Sequence, residues 1–496
     1  MMTRISASLC GAGLTGAVIL AAGCAGSPPP STAAGTSAES TGRCRGTLGL
    51  EVAPTSRALK KRLALPKDFK GAVVLEVLPG GPAAAAGIRG NDIVEQIGTS
   101  RIANDCDFID AAYSRSCEPV RVLVRRSGTA VEATLVPVDQ TTFYDKSCRG
   151  GIASACFRQA WTNWNRRSTD KGPAIQLFES GCKAGSAEAC AYEGLELMRS
   201  ADRGTEAVKV LERSCNLASA GGCANFGFLY ATGKFAKKDD RRAMALYVKA
   251  CDLGDAQGCY NVGLMAEEGR GGPSDVSRAA ARYEEACELG SSTGCTNLGF
   301  LYEHGRGVKT DKGRAFELYQ RGCNGTSCQP SNLNGCVNVG RAYRDGMGVE
   351  KSEPRAAAIF REACDRKPHP DDVNPEENSA RGCSLLGGLY LAGDGIKMDL
   401  AKGRELSELG CDRNDSFGCF NAAAVFTAGS GVEKDAAKAA SYLDRACKLG
   451  DAEGCYDLGL AHEKGNGVAR DPRRAAELTK KACQLGFAQA CSKKGK

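Results

Sequence analysis

Residues Ala243–Gly269 read AMALYVKACDLGDAQGCYNVGLMAEEG, and nearly the same text returns at Ala279–Gly305 and Ala439–Gly465. Two apolar segments with helical spacing, Ala243, Leu246, Tyr247, Ala250 and then Val262, Gly263, Met265, Ala266, flank the turn-forming Leu253-Gly254-Asp255. A cysteine stands on each side of the turn, at Cys251 and Cys259. Eight positions along one continuous helix span about 12 Å, too far for a disulfide, whereas a chain folded back at the turn brings the two together. The unit reads as a helical hairpin closed by its own disulfide.

The same pairing runs along the chain: Cys148–Cys156, Cys182–Cys190, Cys215–Cys223, Cys251–Cys259, Cys287–Cys295, Cys323–Cys336, Cys364–Cys383, Cys411–Cys419, Cys447–Cys455 and Cys483–Cys491. First members mostly sit 36 residues apart, a period that signals an α-solenoid. Four residues after each second cysteine comes a small residue, as at Ala160, Gly194, Gly227, Gly263, Gly299, Gly340, Gly387, Ala423 and Gly459. Glycine inside a helix costs roughly 1 kcal/mol, so its recurrence predicts close helix packing there. Glycines six residues further on, from Gly233 to Gly465, suit helix C-termini. Insertions at 324–334 and 366–381 widen two hairpin turns.

These residues resemble the Sel1-like repeat family, in particular its cysteine-rich exported branch typified by the Helicobacter cysteine-rich proteins. The resemblance rests on Ala-Cys-x-Leu-Gly-x-x-x-Gly-Cys followed by Leu-Gly-x-x-Tyr/His-x-x-Gly-x-Gly-Val and Asp, best met at Ala286–Asp311 and Ala446–Asp471. It covers 141–496 and implies an all-α, disulfide-braced, Sel1/TPR-like solenoid that binds partners. It also imports an alternative, because relatives of this branch are linked to penicillin binding and weak β-lactamase activity: a peptidoglycan- or β-lactam-binding protein. Serine β-lactamases need Ser-x-x-Lys and Lys-Thr-Gly; here Ser168–Lys171 matches the first and Lys-Thr-Gly does not occur. No catalytic residue is therefore assigned, and a non-enzyme is expected. A structural spacer is a third reading.

The composition narrows the class. Twenty-six cysteines in 496 residues point to an oxidising compartment. With three histidines and no Cys-x2-Cys pair, zinc sites of ordinary spacing are not expected, nor any other cofactor. A net charge of +7, with both signs interspersed, lacks the concentrated basic footprint of a nucleic-acid binder.

Residues 1–23 read as an export signal, with Arg4 before an apolar run from Ile5 to Ala22. Leu20-Ala21-Ala22-Gly23-Cys24 resembles a bacterial lipobox, which implies cleavage before Cys24 and lipidation of its sulfur. Ala25 in the next position implies sorting to the outer membrane rather than retention. The Ser-, Pro- and Ala-rich 24–41 reads as a flexible lipidated linker.

Between 42 and 140 the pattern becomes strand-like: Thr47–Val52, Ala72–Val77, Ile93–Ile97, Val120–Val124 and Ala130–Val136, with a short helix at Asp105–Tyr113. Leu48-Gly49-Leu50, Gly71–Val77, Pro82–Ile88 and Asn91-Asp92-Ile93-Val94 resemble a PDZ domain of the bacterial high-temperature-requirement protease type, a small α+β, β-barrel-like fold. Asn91 stands where that family carries glycine, and asparagine tolerates positive φ well enough to keep the turn. The resemblance implies that a partner's C-terminal or extended peptide adds beside Leu50 and Val52. Its carboxylate would rest on the amides of Leu48, Gly49 and Leu50, with Arg45 (or Arg43) adding charge, and Ile109, Ala112 and Tyr113 would line the side-chain pocket. Among the remaining cysteines, Cys44 and Cys117 form the preferred bridge, and Cys328 competes with Cys336 for Cys323. The sequence thus reads as a multidomain, lipid-anchored envelope scaffold for protein or peptide partners, with peptidoglycan as the alternative ligand.

Overall fold

A computed structural model describes residues 46–53, 56–66, 69–113, 117–164, 171–325, 332–366 and 375–492. The expectations for the signal segment, Cys24, the linker, Cys44, Arg45, Ser168, Cys328, His369 and most of both insertions lie outside these residues. The chain divides into two compact units, one running to Thr310 and the other taking Asp311–Asn324 and the chain from Ser331 onward.

The first unit begins with strands β1 (Gly46–Thr47), β2 (Leu50–Ala53), β3 (Ala72–Val77), β4 (Ile93–Ile97), β5 (Ser100–Arg101), β6 (Val120–Arg126), β7 (Thr129–Leu135) and β8 (Val138–Asp139). Helices α1 (Arg57–Arg62), α2 (Pro82–Ala85) and α3 (Asp105–Tyr113) are set among them. The antiparallel order is β2-β3-β4-β6-β7, with β5 on β4 and β1 paired to β8 apart from the sheet. Alternation does the folding: Val120, Val122 and Val124 go into the core while Arg121 faces water. Leu48, Leu50, Val74, Val94, Ile97, Phe108 and Ile109 join them in one apolar cluster. The run expected as one strand over Thr47–Val52 is broken, because Gly49 sits at φ +68° and turns the chain between β1 and β2. Asn91 holds its turn at φ +67°.

From Gln140 the unit is helical: α4 (Gln140–Arg149), α5 (Ala153–Trp164), α6 (Gly172–Lys183), α7 (Ala187–Leu197), α8 (Gly204–Asn216), α9 (Ala220–Thr232), α10 (Asp240–Asp252), α11 (Ala256–Glu268), α12 (Val276–Glu288) and α13 (Ser292–His304). The second unit continues with α14 (Lys312–Asn324), α15 (Leu333–Asp345), α16 (Glu353–Asp365), α17 (Pro375–Ala392), α18 (Leu400–Asp412), α19 (Ser416–Ala428), α20 (Ala436–Lys448), α21 (Ala452–Lys464), α22 (Pro472–Gln484) and α23 (Ala488–Ser492). Among the described residues, ten disulfides each join the two helices of one hairpin, with Cα atoms 4.4–4.7 Å apart. Cys323 pairs with Cys336. Cys117 is also disulfide-bonded.

Local chemistry fixes where each hairpin turns. Ser186, Ser219, Asp255, Ser291, Asp415 and Asp451 cap the second helix of their repeats, each accepting the backbone N–H three residues on. The second helices end on left-handed glycines such as Gly233, Gly269 and Gly465. The recurrent small residue lets repeats stack. A Cβ on Gly263 would lie 2.6 Å from the ring of Tyr283 in the next repeat, and one on Gly340 would lie 2.4 Å from Phe360.

Two alanine substitutions should therefore have opposite signs. Gly263→Ala gains about 1 kcal/mol of helix propensity but meets the fully buried Tyr283 ring, an overpacking cost of about 1–3 kcal/mol. It should lower the urea midpoint of unfolding. Gly221→Ala, where an added Cβ meets nothing within 4 Å, should leave the midpoint unchanged or raise it.

Candidate functional site: an open strand edge and the cleft beside it

Of the residues expected to bind a peptide, Leu48, Leu50, Val52, Ile109 and Ala112 fall in one cluster. Leu48, Leu50, Ile109 and Ala112 are buried together in the sheet's core, and Val52 packs against it. The Leu48–Leu50 loop is held by its own backbone: the Gly49 carbonyl accepts from Leu78 N–H at 2.9 Å and the Leu48 carbonyl from Ala83 N–H at 3.0 Å. One of its three amides is engaged, since Gly49 N–H donates to Thr47 Oγ1 at 3.3 Å. That hydroxyl in turn meets the Tyr144 hydroxyl of α4 at 2.7 Å. The expected nest of three amides is thus reduced to Leu48 and Leu50.

β2 ends the sheet, and among the described residues no strand pairs with its outer edge. Gly49 bonds toward Leu78, and Leu50 stands opposite Val77. Alternation of hydrogen-bonded positions then turns the N–H and C=O of Leu50 to this unpaired edge; Leu50 itself is buried.

Side chains on the other face of β2 and β3 dock onto the helices. Arg158 of α5 grips the Glu51 carboxylate with Nε and Nη2, the two side chains being 10% and 12% exposed. Ser154 donates to Glu76 at 3.2 Å. At the start of α1, Ser56 accepts from Leu59 N–H and donates to the Asp252 carbonyl, both at 3.1 Å. Arg57 reaches Glu284 and Glu288 of α12 at 2.9–3.0 Å. None of these partners carries a motif. One partial signal was available: the position two after the second cysteine is asparagine at Asn225, Asn261, Asn297, Asn338 and Asn421, but Arg158 and Tyr192 beside the sheet, and also Leu385 and Asp457 in the second unit, which has no strand among its described residues.

Between docked sheet and helices lies a cleft of about 480 Å³. Its walls are Val52, Ala53 and Leu75 from the strands, Leu59 and Arg62 from α1, Phe157 and Arg158 from α5, Glu188, Tyr192 and Leu195 from α7, and the turns at 217–221 and 252–254. Leu75 is 63% and Leu217 42% exposed, large apolar groups left open at the cleft. Glu188 has its carboxyl pushed above the usual range by burial, with Glu51 and Glu76 adding to the rise against Arg158. Burial likewise pushes the Tyr192 hydroxyl up.

Nothing in these residues forms a catalytic set. His304 Nδ1 lies 3.0 Å from the Phe300 carbonyl and His462 Nδ1 lies 3.2 Å from that of Ala469. Cys251, Cys259 and Glu285 cluster, but both sulfurs belong to one disulfide and supply no thiolate. The side chains of Cys106 and Tyr113 lie outside the described residues.

Two predictions follow from burial. Arg158→Ala strands Glu51 without its counter-charge and should cost about 3–5 kcal/mol, whereas Glu51→Leu with Arg158→Met should restore most of the urea stability. Asp255 caps Gly258 with Oδ1, while its buried Oδ2 has no hydrogen-bond partner among the described residues. Burial pushes its carboxyl up to about 6, against about 3.9 unfolded. The folded chain then holds a proton that the unfolded chain has released, so stability falls as pH rises from about 4 to 6 and stays lowered above. Asp255→Ser, the cap used at Ser186, Ser219 and Ser291, should raise the unfolding midpoint at pH 8 more than at pH 4.

Comparison with known proteins places the helical part. The Sel1 repeat model matches residues 220–255, 256–291, 292–327, 334–368, 380–415, 416–451 and 452–487. A Sel1 repeat protein from Oxalobacter formigenes is similar at 19% identity and TM-score 0.47, over 67% of this chain and 91% of that one. Helicobacter pylori cysteine rich protein B is similar at 29% identity and TM-score 0.23, over 28% of this chain and 92% of its own. An HtrA-type protease, AlgW, with a decapeptide is similar at 28% identity and TM-score 0.18, over 19% of this chain and 29% of the protease. No curated protein matches. Sel1 repeat proteins are generally scaffolds for protein–protein interaction, and many disulfides suit an extracytoplasmic location. Among the described residues no helix is long and apolar enough to cross a membrane. With just over half of its length matched by the repeat model, the chain belongs to the Sel1 repeat family.

Proposed function

We propose that this protein is a lipid-anchored scaffold of the cell envelope, held at the outer membrane by Cys24, whose strand-rich module works as a PDZ domain. It takes a partner's C-terminal or extended peptide as an added strand on β2, while the repeats hold a second partner. The observation that carries the reading is the edge of β2, with which no strand pairs among the described residues and toward which the register turns the backbone N–H and C=O of Leu50. The burial of Leu48, Leu50, Ile109 and Ala112 in one core supports a rigid platform whose specificity would come from shallow contacts. The Cys44–Cys117 bridge and the Arg45 charge belong to the same proposal and would brace the loop in front of β2. Two modules on one chain raise effective concentration, so weak individual contacts suffice.

The test is a crosslinking pull-down from envelope extract with the mature chain and with Gly49→Ala. That substitution strains the loop at φ +68° and brings a Cβ within 3.2 Å of Gly81 Cα. Partners held by the parent and lost with Gly49→Ala, then displaced by peptides with a free but not an amidated C-terminus, are the expected outcome. Recovery of the same proteins by both baits would overturn strand addition at β2.

A further inference from the structure

The cleft beside β2 is lined by more carboxylates than cations. Glu51, Glu76 and Glu188 surround Arg158, and Arg158 is committed to Glu51 through two donors. Glu76 stands at the exposed rim and accepts from Ser154. Among the described residues no side chain donates to the Glu188 carboxylate. Arg62 also borders the cleft, but it sits on exposed α1, and the only cation acting on Glu188 is Arg158. A part-buried carboxylate whose neighbouring arginine is already paired with Glu51 leaves room for a second cation.

The shape of the surroundings says which cation fits. Glu188, Tyr192 and Leu195 succeed one another along a single face of α7, at spacings of four and three residues. They form a carboxylate followed by an aromatic and an aliphatic surface, with Leu217 and Leu75 continuing the apolar wall. A metal ion finds no match there, since among the described residues Glu188 belongs to no close group of three ligating atoms. An anion would meet surplus carboxylate, and a wholly apolar ligand would bury Glu188 further without a partner. A long alkyl stem ending in a charged head satisfies both walls. The cleft is also continuous with Val52 and Ala53 at the end of β2, so a chain added to that edge runs into it.

We propose that this cleft receives a lysine or arginine side chain of an extended partner peptide, its cationic head on Glu188 and its alkyl stem along Tyr192, Leu195 and Leu217. The inference rests on the scaffold reading for the ligand being a peptide, and its test does not depend on a C-terminal carboxylate. The mature chain is titrated calorimetrically with the blocked pentapeptide acetyl-Ala-Leu-Lys-Leu-Ala-amide and with its norleucine counterpart. The lysine peptide should bind at least tenfold more tightly than the norleucine one, and Glu188→Gln, isosteric and with an unchanged melting profile, should abolish that difference. Equal binding of the two peptides, no binding of either at millimolar concentration, or a lysine preference that survives Glu188→Gln would each overturn the proposal. Conversely, a Glu188-dependent lysine preference, beside a pull-down indifferent to Gly49→Ala, would keep the cleft and reject strand addition.

Discussion

Two cysteines eight residues apart can be joined only if the helix stops and reverses between them, and the rest of the helical architecture depends on that reversal. The bridge holds Cα atoms 4.4–4.7 Å apart at one end of each hairpin, which fixes how deeply the paired helices interpenetrate. In the chain-entropy model closing so short a loop contributes about 2–3 kcal/mol. That cannot by itself fold a repeat, because one hairpin leaves an apolar face uncovered. Stacking supplies the remainder, through the recurrent glycine that admits the next repeat's ring: Gly227 under Tyr247 and Gly263 under Tyr283 in one unit, Gly340 under Phe360 in the other. The disulfide sets the hairpin and the missing Cβ sets the stack.

The strand-rich module is attached by a different principle. Its inward residues are spent on its own core, and its outward charged residues, Glu51 and Glu76, face the helices. Arg57, at the start of α1, reaches α12. Exposed pairs such as Arg57 with Glu284 contribute little individually, so the nearly buried Arg158–Glu51 contact carries the specificity of docking. Docking through side chains on a sheet face leaves the backbone groups on the edge of β2 unspent. A module held in this way can be fixed to the repeats without losing the edge at which an extended chain would add.

Periodicity made the repeats legible because a residue type recurring about every 36 residues samples one environment many times. Gly233, Gly269 and Gly465 each end a helix at positive φ for the same reason. Strands rich in valine and isoleucine, such as Ala72–Val77 and Ile93–Ile97, were readable from their residue types even though their burial does not alternate. The short pieces were not: α1, β5 and β8 have two to six residues and owe their form to what they touch. Nor was the break at Gly49, where a single left-handed residue splits an apolar run that otherwise reads as continuous. The docking contacts were the least legible of all, since Arg57 and Glu288 stand 231 residues apart and a lone surface arginine has no pattern.

Yet the repeats do record their docking, as departures from their own rule. The commonest residue two after the second cysteine is asparagine, a short amide suited to the groove between stacked helices; Asn421 there donates to the Ser384 carbonyl of the preceding repeat at 3.2 Å, while Leu385 and Asp457 depart from it in the unit that has no described strand. In the two repeats that face the sheet the same register carries Arg158 and Tyr192. Neither is needed to stack a solenoid. Arg158 is long enough to cross to Glu51, and Tyr192 is broad enough to wall the cleft and stack on Phe178 at 5.2 Å. In a repeat protein every position is measured against its counterparts, so a departure that places a charge or an aromatic in a docking face is a physical statement about what that face must hold. By that measure the cleft lined by Arg158, Glu188 and Tyr192 is where this chain differs from a plain stack of hairpins.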